Sequence, residues 1–311
     1  MKKLGAFFKL VRWPNLLITA VMMILVHHCL MQFESNAAFI LLIISMVLIQ
    51  AGGYVINDIF DMGIDAVNKP DKQIVGKVFT EKQSNFFYLV LIIIGLGCAL
   101  ISSIMALGKN FISIFACMVL LACLLYSYSN RYKKKLVIGN LIVSLSVAFA
   151  VFVPWLFEML HISTDAILLI NYEPSMQSSL RFVLIYTAFA FLMTLIREIV
   201  KDMQDVEGDG RQHCCTIPIV WGMNTAQIIV IALSFITCAM IMKAADYFNG
   251  LGFKITFYML FASWVFVFIV IINNLMSLIT KSLRAEKQFR LQSMWLKTSM
   301  LLGVLSMFFI K

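Results

Sequence analysis

Long apolar runs separated by short polar segments dominate this sequence. A helix needs about 20 apolar residues to cross the ~30 Å hydrocarbon core of a bilayer. Nine runs of this kind predict an all-α polytopic membrane protein with nine transmembrane helices, in a single domain over residues 1–311. The predicted spans are residues 15–33, 36–56, 86–107, 111–129, 138–157, 180–200, 225–244, 254–279 and 291–310. Residues 158–181 are expected to form an external loop, long enough for a short interfacial helix.

The composition supports this interpretation. Hydrophobic residues make up 61% of the 311 positions and charged residues only 13%. Soluble domains are about half apolar and about a quarter charged, so the composition excludes an ordinary soluble protein.

The distribution of basic residues predicts the orientation. The net charge of +9 would suit a nucleic-acid partner. If the N-terminus is cytoplasmic and nine spans alternate from it, however, 20 of the 25 lysines and arginines lie on the cytoplasmic side. Cytoplasmic loops of membrane proteins carry such an excess. Topology therefore accounts for the charge, and we expect no nucleic-acid partner.

Acidic residues concentrate in two short segments, 58–81 and 198–209, which hold ten of the 16. The first acidic motif, residues 57–72, reads NDIFDMGIDAVNKPDK and follows the second predicted span. The second acidic motif, residues 197–210, reads REIVKDMQDVEGDG and ends the sixth. Both contain D-x-x-D-x-x-x-D, 144 residues apart. In a helix these spacings place the carboxylates on one face.

Clustered carboxylates beside basic residues indicate a site for a metal and a phosphate. Carboxylates held together raise one another's pKa unless a cation sits among them. Mg²⁺ binds one or two carboxylates and completes its shell with water and substrate phosphate oxygens. Arg197 and Lys201 in the second motif, with Lys69 and Lys72 in the first, could neutralise a departing diphosphate. A single such acid could be a solvated helix-end charge, but the repeated spacing favours a diphosphate site for a lipid-linked substrate.

At this point the sequence resembles the UbiA-type superfamily of intramembrane prenyltransferases, which carry N-D-x-x-D-x-x-x-D after the second helix and D-x-x-D-x-x-x-D after the sixth. Supporting matches are RWPN at Arg12–Asn15, YSYSNRYKKKLVIGN at Tyr126–Asn140 and TIPIVWG at Thr216–Gly222. The resemblance implies a U-shaped bundle of nine helices around a central cavity, capped by the two acidic loops and open sideways to lipid. It also implies a Mg²⁺ cofactor, a polyprenyl diphosphate donor, a lipid-soluble acceptor and a place in a bacterial or archaeal cytoplasmic membrane.

The resemblance carries over residue by residue. The metal-binding positions that it implies are Asn57, Asp58, Asp61, Asp65, Asp202, Asp205 and Asp209. The positions implied to hold the diphosphate or assist catalysis are Arg197, Lys201, Lys72, Lys134 and Tyr126, with Tyr128 as the alternative tyrosine. Many relatives have N-x-P-x-R-P after the first motif, where this chain has NKPDKQ. Lys72 therefore replaces an arginine and lacks its bidentate fork.

One leading hypothesis and three alternatives to it remain open at this stage. The acidic motifs resemble most the digeranylgeranylglyceryl-phosphate synthase branch, which prenylates geranylgeranylglycerol phosphate. An aromatic acceptor of quinone biosynthesis, 4-hydroxybenzoate or dihydroxynaphthoate, is the second hypothesis. From other classes, an ion-coupled transporter could use the pair His27–His28 as a proton relay, and a structural scaffold would need no clustered acids.

Overall fold

The computed structural model describes residues 2–30, 36–68, 71, 73–211, 214–280 and 286–310. Throughout these ranges the regular structure is helical and no β-strand forms. The α-helices are α1 (Lys2–Leu10), α2 (Trp13–Leu25), α3 (Ala37–Phe60), α4 (Met62–Asn68), α5 (Glu81–Leu107), α6 (Ile112–Ser127), α7 (Ile138–Ile162), α8 (Ala166–Gln204), α9 (Val206–Arg211), α10 (Ile217–Val220), α11 (Met223–Gly250), α12 (Lys254–Thr280) and α13 (Glu286–Ser306). Two π-helical turns cover Val26–Leu30 and Tyr128–Tyr132, and two 3₁₀ turns cover Gly108–Asn110 and Met307–Phe309.

Seven of the described helices are long and apolar enough to cross a membrane: α3, α5, α6, α7, α8, α11 and α12. Helices α1 and α2 form an eighth span if they count as one, although they are bent by 53°. The predicted total of nine is not confirmed, since the ninth run lies in α13, whose lysines, arginine and amides lower its hydropathy.

The segment expected to be an external loop is instead mostly helical. Helix α7 continues to Ile162 and α8 already begins at Ala166, so only residues 163–165 connect them. Trp155 Nε1 donates a hydrogen bond to Ser179 Oγ at 3.3 Å, joining the two helices. The prediction of a loop was wrong because hydropathy marks only the part of a helix that suits hydrocarbon, while α8 extends past it through polar turns.

The chain forms two compact units. Unit 1 comprises Met1–Lys133 and Phe152–Leu180, and unit 2 comprises Lys134–Val151 and Arg181–Lys311. In unit 1, α3 packs along α5. Their backbones approach closely at Gly95, where an added Cβ would lie 3.3 Å from the backbone nitrogen of Ile49. Small residues allow such close approach between membrane helices.

Buried amides join the last three long helices of unit 2. Asn274 on α12 donates to Gln292 Oε1 on α13 at 3.0 Å, and Gln292 donates to Asn273 Oδ1 at 2.6 Å. Gln227 on α11 donates to Ser277 Oγ on α12 at 3.0 Å. Hydrogen bonds of this kind hold membrane helices together where the hydrophobic effect between them is absent.

A buried histidine–glutamate pair stabilises unit 1. His27 Nε2 lies 2.7 Å from Glu158 Oε1, and both side chains are almost completely buried. The His27 ring stacks on Phe39 with 3.7 Å between ring centroids. These contacts give His27 a packing role in the turn that follows α2.

Candidate active site

The first acidic motif contains the junction between two helices. Helix α3 ends at Phe60, α4 starts at Met62, and Asp61 lies between them with φ −87° and ψ 0°. The amide of Asp61 donates to the Asn57 carbonyl at 2.9 Å, and the amide of Asp65 donates to the Asp61 carbonyl at 2.8 Å. The helix therefore breaks at the middle acid. Backbone hydrogen bonds from residue i to residue i−4, as in an α-helix, nevertheless continue on both sides of the break.

The second acidic motif has the same local structure. Helix α8 ends at Gln204, α9 starts at Val206, and Asp205 lies at the junction. The Asp205 amide donates to the Lys201 carbonyl at 2.8 Å, and the Asp209 amide donates to the Asp205 carbonyl at 3.0 Å. A repeated sequence motif thus specifies a repeated backbone pattern, with the middle acid at the break in each case. The spacing alone indicated a shared helix face and did not locate these breaks.

Two acids of the first motif are paired with cations from segments distant in the sequence. Asp61 is nearly buried and forms an ion pair with Lys133, and Asn57 Nδ2 donates to its Oδ2 at 2.6 Å. Asp58 accepts a hydrogen bond from Arg12 Nη2 at 2.8 Å. Burial disfavours the charged form of Lys133, but the Asp61 carboxylate outweighs burial and raises the pKa of the ammonium group. Lys133 is therefore charged at neutral pH.

Arg12 occupies an unusual position. It lies at the bend between α1 and α2 with φ 53°, in the left-handed region that non-glycine residues rarely adopt. Its guanidinium also sits over the ring of Tyr54, 4.8 Å from the centroid. Backbone strain of this kind concentrates at functional sites, and here it directs Arg12 toward Asp58.

The structure places Lys133, rather than the predicted Lys134, against the first motif. The Lys134 side chain is exposed, and its main-chain carbonyl accepts a hydrogen bond from the Cys215 amide at 3.0 Å. Lys133 follows the π-helical turn Tyr128–Tyr132. Because a π turn holds more residues than an α turn, it changes which lysine of the KKK run faces the acids.

Tyr126 lies beside the first motif. Its ring packs edge-on against Phe60, the residue before Asp61, with 6.1 Å between centroids. It also stacks with Tyr88 at 6.3 Å. Lys72, predicted to contact the diphosphate, lies outside the described residues, as do Lys69 and Pro70.

Two residues that contact the second motif's predicted site residues, Asn140 and Glu198, were not predicted from the sequence. Asn140 Nδ2 donates to Asp202 Oδ2 at 2.8 Å. Glu198 Oε1 accepts from Lys201 Nζ at 2.5 Å and from Arg197 Nη1 at 3.3 Å, so one carboxylate holds both predicted diphosphate-binding cations. The Nε of Arg197 is buried without a hydrogen-bond partner. This unused donor is available to an anion.

The first motif supplies the oxygen ligands that a hard divalent cation prefers. Within the described ranges, no group of three or more histidine, cysteine or acidic side chains could hold a metal ion alone. Mg²⁺ needs no such group, because it binds one or two carboxylates together with substrate oxygens. The Oδ1 of Asn57 is buried and lacks a hydrogen-bond partner, beside the Asp61 carboxylate. These two residues fit a divalent ion that arrives with phosphate oxygens.

Comparison with known proteins decides the family. A model of the UbiA prenyltransferase family matches residues 11–301, which include both acidic motifs. The chain belongs to the UbiA prenyltransferase family. It is accordingly an integral membrane protein and an enzyme of prenyl transfer, which removes the transporter and scaffold alternatives.

Individual UbiA relatives agree with this assignment. The digeranylgeranylglyceryl phosphate synthase of Sulfolobus acidocaldarius is 27% identical over 277 residues, covering 89% of this chain and 90% of the relative. A structure from work on digeranylgeranylglyceryl phosphate synthase in membranes has a TM-score of 0.64 at 23% identity, covering 99% of this chain and 98% of its own. A UbiA homologue from Archaeoglobus fulgidus bound to GPP and Mg²⁺ has a TM-score of 0.53 at 15% identity, covering 96% and 99%. The two solved structures establish a shared fold.

Proposed function

We propose that this protein transfers a polyprenyl group, with geranylgeranyl as the first candidate, from its diphosphate to a lipid-soluble acceptor within the membrane. The observation that carries the proposal is the pair of acidic motifs with one backbone pattern, each holding carboxylates beside basic side chains. Curated relatives named digeranylgeranylglyceryl phosphate synthase support geranylgeranylglycerol phosphate as the acceptor.

In this proposal both motifs act on the same diphosphate through a divalent metal, for which Mg²⁺ is the candidate. Asn57 and Asp61 of the first motif, with Asp202 of the second, would hold the ion, supported by Asp58, Asp65, Asp205 and Asp209. When bound, Mg²⁺ supplies positive charge to the diphosphate oxygens and so stabilises the leaving group. The A. fulgidus homologue, solved with GPP and Mg²⁺, supports this choice of metal.

Basic residues of the chain would neutralise the diphosphate as its bond to the allylic carbon breaks. Lys133 and Arg12 already lie against the acids of the first motif, so a short movement could bring them to phosphate oxygens. Arg197 offers its unpaired Nε, and Lys201 and Lys72 remain candidates. Tyr126 packs against Phe60, the residue before Asp61, and its aromatic ring would stabilise the allylic cation that forms. The acceptor hydroxyl oxygen then attacks that carbon and loses its proton.

The proposed orientation follows from the basic residues. The N-terminus and both acidic motifs would face the cytoplasm, with α13 as the ninth span of a U-shaped bundle in a cytoplasmic membrane. The excess of lysine and arginine in the predicted cytoplasmic segments supports this arrangement.

The test is a product assay on purified protein reconstituted in lipid. Labelled geranylgeranyl diphosphate and Mg²⁺ are incubated with geranylgeranylglycerol phosphate, 4-hydroxybenzoate or dihydroxynaphthoate, and products are identified by mass. We expect prenylation of geranylgeranylglycerol phosphate with release of one diphosphate per product. Prenylation of an aromatic acceptor instead would overturn the acceptor assignment, and no prenylation of any acceptor would overturn the function.

Matched variants connect the activity to the site. Asp202→Asn removes the carboxylate that Asn140 contacts, and we expect it to abolish transfer. Asp246→Asn changes an exposed acid on α11, outside both motifs, and should leave transfer unchanged. Equal activity of the wild type and the Asp202→Asn variant would contradict the proposal.

A further inference from the structure

Unit 2 contains an open groove that the proposed reaction does not use. It lies between α8 and α11 and has a volume of about 400 Å³. Its lining residues are Ile185, Ala239, Met240, Lys243, Ala244 and Tyr247. The volume falls within the range of about 300–1,000 Å³ that is typical of ligand sites. The lining is apolar except at Lys243 and the phenol of Tyr247.

The groove lies at the opposite end of unit 2 from the second acidic motif. The ring of Tyr247 contacts Phe182 with 6.2 Å between centroids, which aligns this part of α11 with the 181–185 segment of α8. At 1.5 Å per residue, Phe182 is about 30 Å along α8 from Asp202. That length is about the hydrocarbon thickness of a bilayer. The groove and the second acidic motif are therefore placed at opposite membrane surfaces.

Lys243 lines this groove, and Arg181 lies one helical turn along α8 from the lining residue Ile185; neither cation has an ion-pair partner among the described residues. Lys243 lies in the apolar span α11, where a charge is costly unless its side chain reaches the interface. Arg181 on α8 precedes Ile185 by four residues and so shares its face. Both side chains are exposed, and neither forms an ion pair within the described ranges, even though Asp246 is close to Lys243 in sequence.

We propose that the groove binds an anionic phospholipid of the leaflet opposite the second acidic motif. Lys243 and Arg181 would contact the headgroup phosphate, and the Tyr247 hydroxyl would donate a hydrogen bond to it. One hydrocarbon chain would lie along Ile185, Ala239 and Met240. Charge complementarity identifies the headgroup as anionic. The apolar lining favours a lipid over a free phosphate, because a free phosphate has no hydrocarbon chain to pack against that lining. This site is separate from the proposed prenyl transfer.

The test uses native mass spectrometry of the detergent-purified full chain with phosphatidylglycerol, phosphatidylcholine or inorganic phosphate. We expect phosphatidylglycerol to bind more tightly than phosphatidylcholine, with no saturable binding of inorganic phosphate. Each basic residue near a membrane surface contributes about 1 kcal/mol toward anionic lipid, which corresponds to about fivefold in affinity. Lys243→Gln and Arg181→Gln should each lower phosphatidylglycerol affinity by about that factor. Lys254→Gln, at an exposed lysine that starts α12 in the same unit, should change nothing.

A second pair of variants tests the apolar part of the groove. Ala239→Phe places a ring in the groove at an exposed position of α11 and keeps both cations. It should reduce phosphatidylglycerol binding, whereas Ile228→Phe, at an exposed position three turns away, should not. The proposal is overturned if Lys243→Gln or Ala239→Phe binds like the wild type, or if Lys254→Gln loses binding equally. Because binding is measured without turnover, the result is independent of the proposed prenyl transfer.

Discussion

Replacing Lys133 with glutamine should distinguish two adjacent lysines that the sequence cannot separate. In the structure Lys133 forms the ion pair with Asp61, while the Lys134 side chain is exposed. Lys133→Gln keeps a polar side chain, one bond shorter than lysine, and removes its charge. Asp61, with a side chain only 7% exposed, then keeps Asn57 as its neighbour without a counter-charge.

Both stability and catalysis should respond. Breaking a fully buried ion pair by removing one partner costs about 3–5 kcal/mol. The Lys133 side chain is 26% exposed, so water screens the remaining carboxylate and we expect a free-energy loss of about 1–2 kcal/mol. If Lys133 also meets charge that develops on the diphosphate, kcat should fall about 10²–10³-fold, as when other stabilising donors are removed from a reacting anion.

The assay compares steady-state prenyl transfer and thermal unfolding of Lys133→Gln and Lys134→Gln in the same lipid. Lys134→Gln is the matched control, since it removes a neighbouring charge whose side chain is exposed. It should leave both the rate and the melting temperature near the wild-type values. The reasoning is refuted if Lys134→Gln loses as much activity as Lys133→Gln, or if Lys133→Gln is fully active.

Three further predictions concern other contacts. Asn140→Ala removes a hydrogen bond to Asp202, worth about 1.5–3 kcal/mol when the acceptor is charged, so kcat/KM should fall about 10- to 100-fold; wild-type kinetics would contradict this. His27→Leu should destabilise the protein by about 3–5 kcal/mol because Glu158 stays buried without its partner, while the double variant with Glu158→Leu should regain most of the melting temperature. An equally low melting temperature for both variants would count against the pair. The exposed thiol of Cys215 should react with a membrane-impermeant maleimide in inside-out vesicles but not in right-side-out vesicles, with Cys215→Ser as the control; the reverse pattern would contradict cytoplasmic motifs.

The sequence predicted the helical membrane class and the motif positions because these depend on local composition and spacing. Hydropathy finds segments that suit hydrocarbon, but it does not find where a helix ends in water, so it placed a loop within α7 and α8. Spacing likewise indicated that the acids share a helix face, but it did not locate the breaks at Asp61 and Asp205. Neither break is marked by a glycine or proline at the break itself, so the residue types there do not reveal it.

Partners distant in the chain were harder to predict than the motifs themselves. Arg12 and Asn140 each stood in a segment that resembled the family, but their contacts with Asp58 and Asp202 arise from packing between helices. Lys134 was named from the family resemblance, but the π turn at Tyr128–Tyr132 changes the helical phase and leaves Lys133 in contact with Asp61. Glu198 was adjacent to Arg197 in the sequence, and its i, i+3 spacing to Lys201 was an available signal.

The central claim is that both acidic motifs bind one metal–diphosphate, and a double-mutant cycle on ligand affinity tests it most directly. The affinity for geranylgeranyl thiolodiphosphate, a non-reacting donor analogue, is measured by calorimetry in Mg²⁺ for the wild type, Asp61→Asn, Asp202→Asn and the double variant. Groups that share one ligand have non-additive effects, so we predict that each single change weakens binding and the double change adds little more. Full affinity in either single variant, or strictly additive losses, would contradict the account.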